Sequence, residues 1–310
     1  MAEEVRGFVV VGPSSGVGKT TLTLALMAAC AFICVPRLAG RELKDELGRM
    51  VRLPDHPQRV VCLAPSLTET VYALGRGGAV VGVTDFTDNP PEARTKPSVG
   101  GLTDASLEKI VSLRPDLVLA MGTLNQEELV DEMERAGIPV FVVNPQGLQG
   151  VLESITHLGE ALNCAAGAAQ VVKGLESRRA AVAARVAGRT RFRVLLVVWY
   201  DPVITAGNKS FLTDLIAAAG GDSVTADVAQ EWPQISLEEV MRRAPDFLLL
   251  VKAAHGGIAE ADLEAHAGWS QLAALKNHHV IQMDDRLIHP SPVVFDALET
   301  LAKQLHPDAF

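Results

Sequence analysis

The sequence predicts an α/β protein in which two Rossmann-like βα lobes, each with a parallel sheet, are joined by a long backbone helix. Three observations lead to this prediction. Short β-rich runs alternate with amphipathic stretches, a strand-free segment interrupts the alternation near mid-chain, and one sequence unit occurs twice. Alternating strand and helix patterns are typical of βα units around a parallel sheet.

The first predicted lobe covers residues 41–148. It opens with a charged segment, 41–57, which contains Pro54 and Pro57. We interpret this segment as an arm that leads into the first lobe. Several β-rich runs follow, separated by amphipathic stretches, and each run predicts a strand. These predicted strands are Arg59–Ala64, Val80–Thr84, Leu117–Met121 and Val140–Asn144.

Residues 149–189 form the predicted helical linker. Apolar residues at helical spacing run from Val151 to Leu162 and again from Ala165 to Leu175, and no strand signal interrupts them. Asn163 is expected to separate two helices. The second helix would reach about Ala187 and would measure about 35 Å at a rise of 1.5 Å per residue.

A repeated unit and a renewed alternation define the second lobe, residues 190–310. Ser106–Ala120 recurs as Ser236–Leu250, and each copy starts with a serine N-cap, turns at Pro–Asp and enters an apolar strand. The other predicted elements are the strands Val194–Tyr200, Phe247–Val251 and Val280–Met283 and a closing helix near Val293–Leu305. Two similar lobes with a cleft between them are suited to hold a ligand in that cleft.

Charge and residue content exclude several classes of function. The net charge of −9, without a basic stripe, argues against nucleic acid as a partner. The cysteines show no metal-ligand spacing, and Cys62 lies in an apolar run, where we expect a buried thiol. From Arg59 onward the sequence has no paired carboxylates in one loop, no nucleophile elbow and no His/Cys cluster. We therefore predict no enzyme: no catalytic residue, no metal site and no cofactor of its own.

The leader, residues 1–40, has two competing interpretations, and the first is nucleotide binding. Gly12–Thr20 is a glycine-rich turn between a strand-like and a helix-like run, which is the arrangement of a phosphate-binding loop. Residues 8–29 resemble the P-loop start of cobyrinic acid a,c-diamide synthase. The residues that would bind nucleotide are Gly16, Gly18, Lys19 and Thr20. The resemblance ends there, without a second metal-binding carboxylate strand, so a corrinoid-biosynthesis ATPase is the less favoured function.

The second interpretation of the leader is a secretory signal. Leu22–Val35 is apolar, is too short to span a bilayer and follows the cation Lys19, as in the h-region of a signal peptide. Leu26–Cys30 approaches a lipobox, so a lipid anchor at Cys30 is one alternative and an ordinary buried or cleaved cysteine is the other. The predicted location is periplasmic or otherwise extracytoplasmic, with or without anchoring, and cytoplasmic if the leader is not a signal.

From about residue 40 to residue 307 the chain resembles a known family in several segments that occur in the right order. These segments are Arg59–Thr70, Val81–Pro91, Val99–Gly101, Trp199–Pro202, Thr205–Gly207 and Trp232–Glu239. The resemblance is to the substrate-binding proteins of ABC importers that take up cobalamin, haem or siderophores and have a helical backbone between their lobes. It implies delivery of a small molecule to an importer permease. The Trp-Pro-Gln segment resembles the cobalamin binders most, and haem or a ferric siderophore is the alternative ligand.

The resemblance also implies a set of ligand-binding residues. A corrin is a broad, flat macrocycle, which suits aromatic walls with a few polar groups. The implied ligand-binding residues are Phe86, Trp199, Tyr200, Trp232, Asp285 and His289. For each aromatic ring the alternative is core packing. The chain departs from the family at Leu102 and Met121, where cobalamin binders can carry tryptophan, and this departure keeps other ligands open.

Glu108 and Glu238 occupy matching positions in the repeated unit, as the second residue of each predicted helix. In the family such carboxylates dock on arginines of the permease. The alternative is that an acidic residue in the first turn only complements the helix dipole, which contributes about 0.3–1 kcal/mol.

Overall fold

The computed structural model describes residues 40–125, 127–252 and 257–310. The predictions for nucleotide binding at Gly16, Gly18, Lys19 and Thr20 and for a lipid anchor at Cys30 lie outside these residues. Within the described part, no helix combines the length and the apolar character needed to cross a membrane.

The N-terminal lobe (N-lobe) is built around a four-stranded parallel sheet in the order β4-β3-β5-β6. Its strands are β3 (Val60–Cys62), β4 (Val80–Gly82), β5 (Leu117–Met121) and β6 (Val140–Val143), and its helices are α1 (Pro65–Ala73), α2 (Leu107–Ser112) and α3 (Glu127–Arg135). Strands β3, β5 and β6 are buried along their whole length. Their continuous apolar runs follow from this, because a parallel sheet has both faces covered.

The charged segment 41–57 is part of this lobe, and it contains two strands that its charge pattern did not reveal. They are β1 (Gly40–Lys44) and β2 (Met50–Pro54), which form a two-stranded sheet. In the turn between them, the Asp45 carboxylate accepts the backbone N–H groups of Leu47 and Arg49 at 3.0 and 2.9 Å. The Glu46 N–H donates to the carbonyl of Val142 at 3.1 Å, which ties the turn to the end of β6.

The helical linker consists of α4 (Gly147–Ala161) and α5 (Ala165–Val186), as the periodicity predicts. Asn163 lies between them with φ of 53°. Asparagine is one of the few residues that tolerate this left-handed conformation, so it can end one helix and redirect the chain into the next.

The C-terminal lobe (C-lobe) repeats the architecture with a four-stranded parallel sheet in the order β10-β7-β12-β13. Its strands are β7 (Phe192–Val197), β10 (Gly221–Ser223), β12 (Phe247–Lys252) and β13 (Val280–Asp284). A small antiparallel sheet, in the order β11-β9-β8, consists of β8 (Trp199–Tyr200), β9 (Val203–Ile204) and β11 (Gln234–Ile235). The described helices are α6 (Phe211–Ala218), α7 (Leu237–Arg243), α8 (Glu260–Ala265), α9 (Ala273–Lys276) and α10 (Val294–Leu305). The predicted fold class is therefore confirmed.

The repeated unit has the same local structure in both lobes. The Ser106 and Ser236 hydroxyls cap α2 and α7 by accepting a backbone N–H from three residues further on, at 3.3 and 3.2 Å. After the Pro–Asp turns, the Asp116 and Asp246 carboxylates accept a backbone N–H at the start of the neighbouring strand, at 2.9 and 2.8 Å. Each Pro–Asp pair thus fixes where its own strand and the strand beside it begin.

One apolar core runs through both lobes. It joins buried residues of the N-lobe sheet, of α1, α4, α5, α6 and α10, and of the C-lobe sheet. Each sheet has a second, separate cluster on its opposite face. The helices between the sheets pack against both sheets in this core. The two lobes and the linker therefore have one continuous apolar interior.

Candidate ligand-binding cleft

The N-lobe and the C-lobe contact each other through a polar cluster, the seam, which consists of Glu69, His289 and Ser291. Glu69 lies on α1, the helix that follows β3, whereas His289 and Ser291 lie in the loop that follows β13. The Glu69 carboxylate is 3.0 Å from His289 Nδ1 through Oε1 and accepts the Ser291 hydroxyl at 2.5 Å through Oε2. In open α/β sheets, ligands bind beyond the carboxyl ends of the strands. A candidate ligand site is therefore expected beyond the carboxyl ends of the strands in each lobe.

Three large aromatic side chains are exposed near these carboxyl ends, two of them in loops and one in the short strand β8. Phe86 follows β4 and is 47% exposed, Trp199 follows β7 and is 45% exposed, and Trp232 precedes β11 and is 42% exposed. Such rings are normally buried, because each carries a large apolar surface. These three rings are therefore not packed in the core, which was the alternative to ligand contact.

The loop that carries Phe86 packs tightly against the segment around Gly101. A Cβ at Gly101 would lie 2.2 Å from Asp104 Oδ1 and 3.7 Å from Phe86 Cε2, so a larger residue there would displace the Asp104 side chain. Leu102 is half-buried next to it, and its carbonyl accepts the Asn125 side-chain amide at 2.9 Å. These contacts hold the Phe86 loop and the segment of Gly101 and Leu102 in place on the N-lobe.

Met121, the second position where the chain departs from the family, is only 3% exposed and belongs to the shared core. Its backbone N–H donates to Asn125 Oδ1 at 2.7 Å. Met121 is therefore a core residue of the N-lobe.

The loop that carries Trp232 is held by backbone hydrogen bonds. Gly207 N–H donates to the Glu231 carbonyl at 3.0 Å, and Thr205 N–H donates to the Pro233 carbonyl at 3.1 Å. A Cβ at Gly207 would lie 2.2 Å from the Gln230 carbonyl oxygen, so glycine is needed for this close approach. Burial raises the pKa of the Glu231 carboxyl, and a hydrogen bond with Trp232 partly offsets this effect.

Tyr200 differs from its neighbour Trp199. It is half-buried against the outer core of the C-lobe, with its ring stacked on Trp199 at 5.3 Å and edge-on to His266 at 4.8 Å between centroids. It lines a pocket of about 550 Å³ beside the start of α7, together with Asp201 and Ser236. The two rings are therefore in contact but differ in exposure, Trp199 being exposed and Tyr200 half-buried.

The polar residues of the loop after β13 are partly buried. Asp285 begins a short 3-10 turn, Asp285–Ile288, and is half-buried. Asp284 next to it is paired with the Arg286 guanidinium at 2.5 Å, which holds the pKa of the Asp284 carboxyl below its usual value. The His289 side chain is only 20% exposed, although it lies in a loop.

Three residues near the carboxyl ends of the strands carry no functional signal in the sequence. Glu69 and Ser291 are buried polar residues that are 222 positions apart, so no local pattern connects them. Leu47, at the β1–β2 turn, is 51% exposed, and its Cδ2 lies 3.3 Å from where a Cβ of Gly122 would be. Gly122 follows β5, so Leu47 adds an apolar side chain to the carboxyl edge of the N-lobe sheet.

Glu108 and Glu238 are both exposed second residues of their helices, as predicted. Their acidic neighbour in the second copy, Glu239, is different. It is bound by the guanidinium groups of Arg242 and Arg243, which lower the pKa of its carboxyl.

Among the described residues, one group could hold a metal ion by distance, and it lies away from the seam. It consists of Glu260 and Glu264 on α8 together with His278, and two of the three are exposed. Exposed acidic groups in such arrangements are common without a metal, so this cluster adds nothing to the cleft.

Comparisons with known proteins show which family and fold the chain resembles. The family model described as "Periplasmic binding protein" matches residues 60–287. An ABC transporter substrate-binding lipoprotein of Bacillus subtilis (strain 168) is 31% identical over 276 residues, which cover 86% of each chain. A vitamin B12-binding protein of Vibrio parahaemolyticus is 27% identical over 78% of this chain and 86% of its own length. The periplasmic heme-binding protein RhuT from Roseiflexus sp. RS-1, in apo form, has a TM-score of 0.74 at 26% identity, over 82% of this chain and 99% of its own.

The chain belongs to the periplasmic binding protein family. Its relatives are substrate-binding components of ABC transporters and not enzymes, which agrees with the sequence analysis. A permease is the partner that such a component requires, and a small molecule is its ligand.

Proposed function

We propose that this protein binds a corrinoid such as cobalamin between its N-lobe and C-lobe and delivers it to the permease of an ABC importer. The observation that carries the proposal is the exposure of large aromatic rings on both lobes: Phe86 on one, and Trp199 and Trp232 on the other. Relatives named for vitamin B12, such as the Vibrio protein at 27% identity, support the same ligand class.

The chemistry of the proposed walls fits a corrin. The macrocycle is broad and has apolar faces, so rings that lie flat against it bury a large area. Its amide-bearing edge needs polar partners, which Asp285 and His289 supply from the loop after β13. Tyr200 contributes by stacking on Trp199 and holding that ring in place.

Delivery to the permease involves the two exposed glutamates. Glu108 and Glu238 present one carboxylate on each lobe, in equivalent positions of the repeated unit. A two-fold permease can receive such a pair symmetrically, and rim charges of this kind set encounter and register more than affinity. An extracytoplasmic location, with or without a lipid anchor at Cys30, is part of the proposal.

Haem is the second candidate ligand. The likeness to RhuT, at 26% identity and a TM-score of 0.74, favours it, and a porphyrin also suits aromatic walls. A ferric siderophore has less support. Anionic siderophores call for free arginines, and Arg286 in the loop after β13 is paired with Asp284.

An absorbance titration of the purified full chain distinguishes these ligands. Cobalamin, cobinamide and haemin are added separately, and the bound fraction is followed through the ligand's own visible bands. We expect saturable binding of one corrinoid per chain. Saturation by haemin alone would transfer the proposal to haem, and failure of all three ligands to bind would contradict it.

A further inference from the structure

The order of the strands in the N-lobe sheet reverses between β3 and β5. Strand β4 follows β3 on one side of it, whereas β5 and β6 lie on the other side, so the sheet order is β4-β3-β5-β6. At such a switch point the loops after the two neighbouring strands run in opposite directions and leave a crevice, in which α/β proteins bind ligands. We therefore expect the crevice of the N-lobe beyond the carboxyl ends of β3 and β5.

The hydrogen-bond ladder between β3 and β5 ends on a side chain at this point. Leu63 N–H donates to the Leu119 carbonyl at 3.0 Å, and a regular parallel ladder would continue with Met121 N–H donating to the Leu63 carbonyl. Instead, Met121 N–H donates to Asn125 Oδ1 at 2.7 Å, and the Leu63 carbonyl accepts Asn125 Nδ2 at 3.3 Å. The side-chain amide of Asn125 therefore replaces one hydrogen bond of the ladder and separates the two strand ends.

The same amide reaches a third segment of the chain. Asn125 Nδ2 also donates to the Leu102 carbonyl at 2.9 Å. The partners determine the orientation of the amide, because its oxygen faces an N–H group and its nitrogen faces two carbonyl groups. The backbone N–H of Asn125 donates to the Met121 carbonyl at 3.0 Å, which holds the residue at the end of β5. Asn125 thus joins the ends of β3 and β5 to the segment that contains Leu102.

The segment that contains Leu102 is itself bonded to the Phe86 loop. Asp85 N–H donates to the Gly100 carbonyl at 2.9 Å, two residues before Leu102. Phe86 follows Asp85 directly, so the backbone on either side of this hydrogen bond includes the exposed ring and the segment that Asn125 holds. A displacement of Leu102 is therefore expected to displace the Phe86 loop.

We propose that Asn125 is a positioning residue that holds the Phe86 loop in place for ligand binding. This inference rests on the proposed function and deepens it. The amide keeps the ends of β3 and β5 apart at the switch point and fixes the segment around Leu102. Both hydrogens of Nδ2 are used in these contacts, so Asn125 acts on the ligand through the Phe86 loop.

Hydrogen exchange of the ligand-free full chain tests the positioning role without any ligand. Asn125→Asp keeps an acceptor oxygen for the end of β5 but has no amide hydrogens for the two carbonyl groups. We expect backbone exchange in residues 83–102 to become about tenfold faster than in wild type, with exchange in the C-lobe sheet unchanged. Asn277→Asp, the same change at an exposed position of the C-lobe, is the matched control. Wild-type exchange rates in residues 83–102 of Asn125→Asp would overturn the inference.

A cobalamin titration then distinguishes positioning of the Phe86 loop from a general effect on stability. We expect Asn125→Asp to bind cobalamin about tenfold more weakly than wild type. In the Phe86→Ala background the same substitution should weaken binding by less than about threefold, because the loop it positions has already lost its ring. Equal losses in both backgrounds would show that Asn125 acts independently of Phe86 and would overturn the inference.

Asn125→Ala, which introduces no charge, replaces Asn125→Asp in both measurements if the aspartate variant does not melt cooperatively. If neither variant folds, Asn125 is required for the fold itself, and the inference is overturned. Wild-type protein that binds none of cobalamin, cobinamide and haemin would contradict the proposed function. The exchange measurement would then still decide whether Asn125 holds the Phe86 loop.

Discussion

At the scale of single residues, the two exposed glutamates need an explanation beyond helix stability. A carboxylate in the first turn complements the helix dipole, and this contributes about 0.3–1 kcal/mol. Glu239 could do the same in the second copy, yet it is held by Arg242 and Arg243, whereas Glu238 is exposed. The dipole does not account for an exposed glutamate at the same position in both lobes.

Reversal of both charges tests the docking role. We expect Glu108→Arg with Glu238→Arg to abolish uptake through the cognate importer, while the affinity for the soluble ligand stays within about twofold, or 0.4 kcal/mol. The matched control is Glu176→Arg, an exposed glutamate on the linker helix α5. Uptake at the wild-type rate by the double variant would leave the glutamates with only their dipole role. Loss of ligand binding would place them in the pocket instead.

How far the sequence predicted single residues depended on whether the signal was local. Burial of Cys62 followed from its apolar run, whereas Trp232 was singled out only by the family resemblance. Cys62 is fully buried, and burial raises the pKa of its thiol to about 12. The partner of His289 could not be predicted in this way, because Glu69 is 220 positions away and belongs to the other lobe.

At the scale of elements, α5 is joined to α10 by an ion-pair network. Arg178 on α5 donates to Glu299 Oε1 at 2.6 Å and to Asp296 Oδ1 at 2.5 Å, both on α10. The hydrogen bond with Arg178 lowers the pKa of the Glu299 carboxyl. The network therefore attaches the linker to the last helix of the C-lobe.

We expect Arg178→Met to lower the free energy of unfolding by at most about 1 kcal/mol at pH 7, because the pair is about one-third exposed and water screens it. The pKa of Glu299 is depressed in the folded state, so its contribution is present above the unfolded pKa, near 4.5, and is lost as pH falls through the folded value. Urea unfolding at pH 7 and pH 3 should show a difference from wild type that shrinks in acid. Arg179→Met on the same helix is the control, and a pH-independent difference would refute this assignment.

Elements with a long or repeated signal were predicted well, and short ones were not. The linker helix and the repeated units have periodic apolar positions, serine caps and Pro–Asp turns, each of which acts locally. The strands β8, β9 and β11 have two residues each, so no periodicity exists to detect. The predicted strand Val194–Tyr200 accordingly ran through the break at Val198, where β7 has ended and β8 has not begun.

At the scale of the whole molecule, the lobes share one apolar core through the helices between them. Pulling the lobes apart would expose this surface at a cost of about 25 cal/mol for each Å². The two lobes are therefore held against each other by this core and by the buried contact of Glu69 with His289 and Ser291.

The central claim, that one ligand bridges the two lobes, is tested most directly by comparing Phe86→Ala and Trp232→Ala in a cobalamin titration of the full chain. Each ring lies on a different lobe, and truncation of a well-packed aromatic anchor costs about 1–3 kcal/mol. We expect each variant to bind cobalamin about 5- to 150-fold more weakly, with an unchanged melting temperature and one ligand per chain. Weakening by only one of the two substitutions, at unchanged stability, would confine the site to a single lobe and contradict the account.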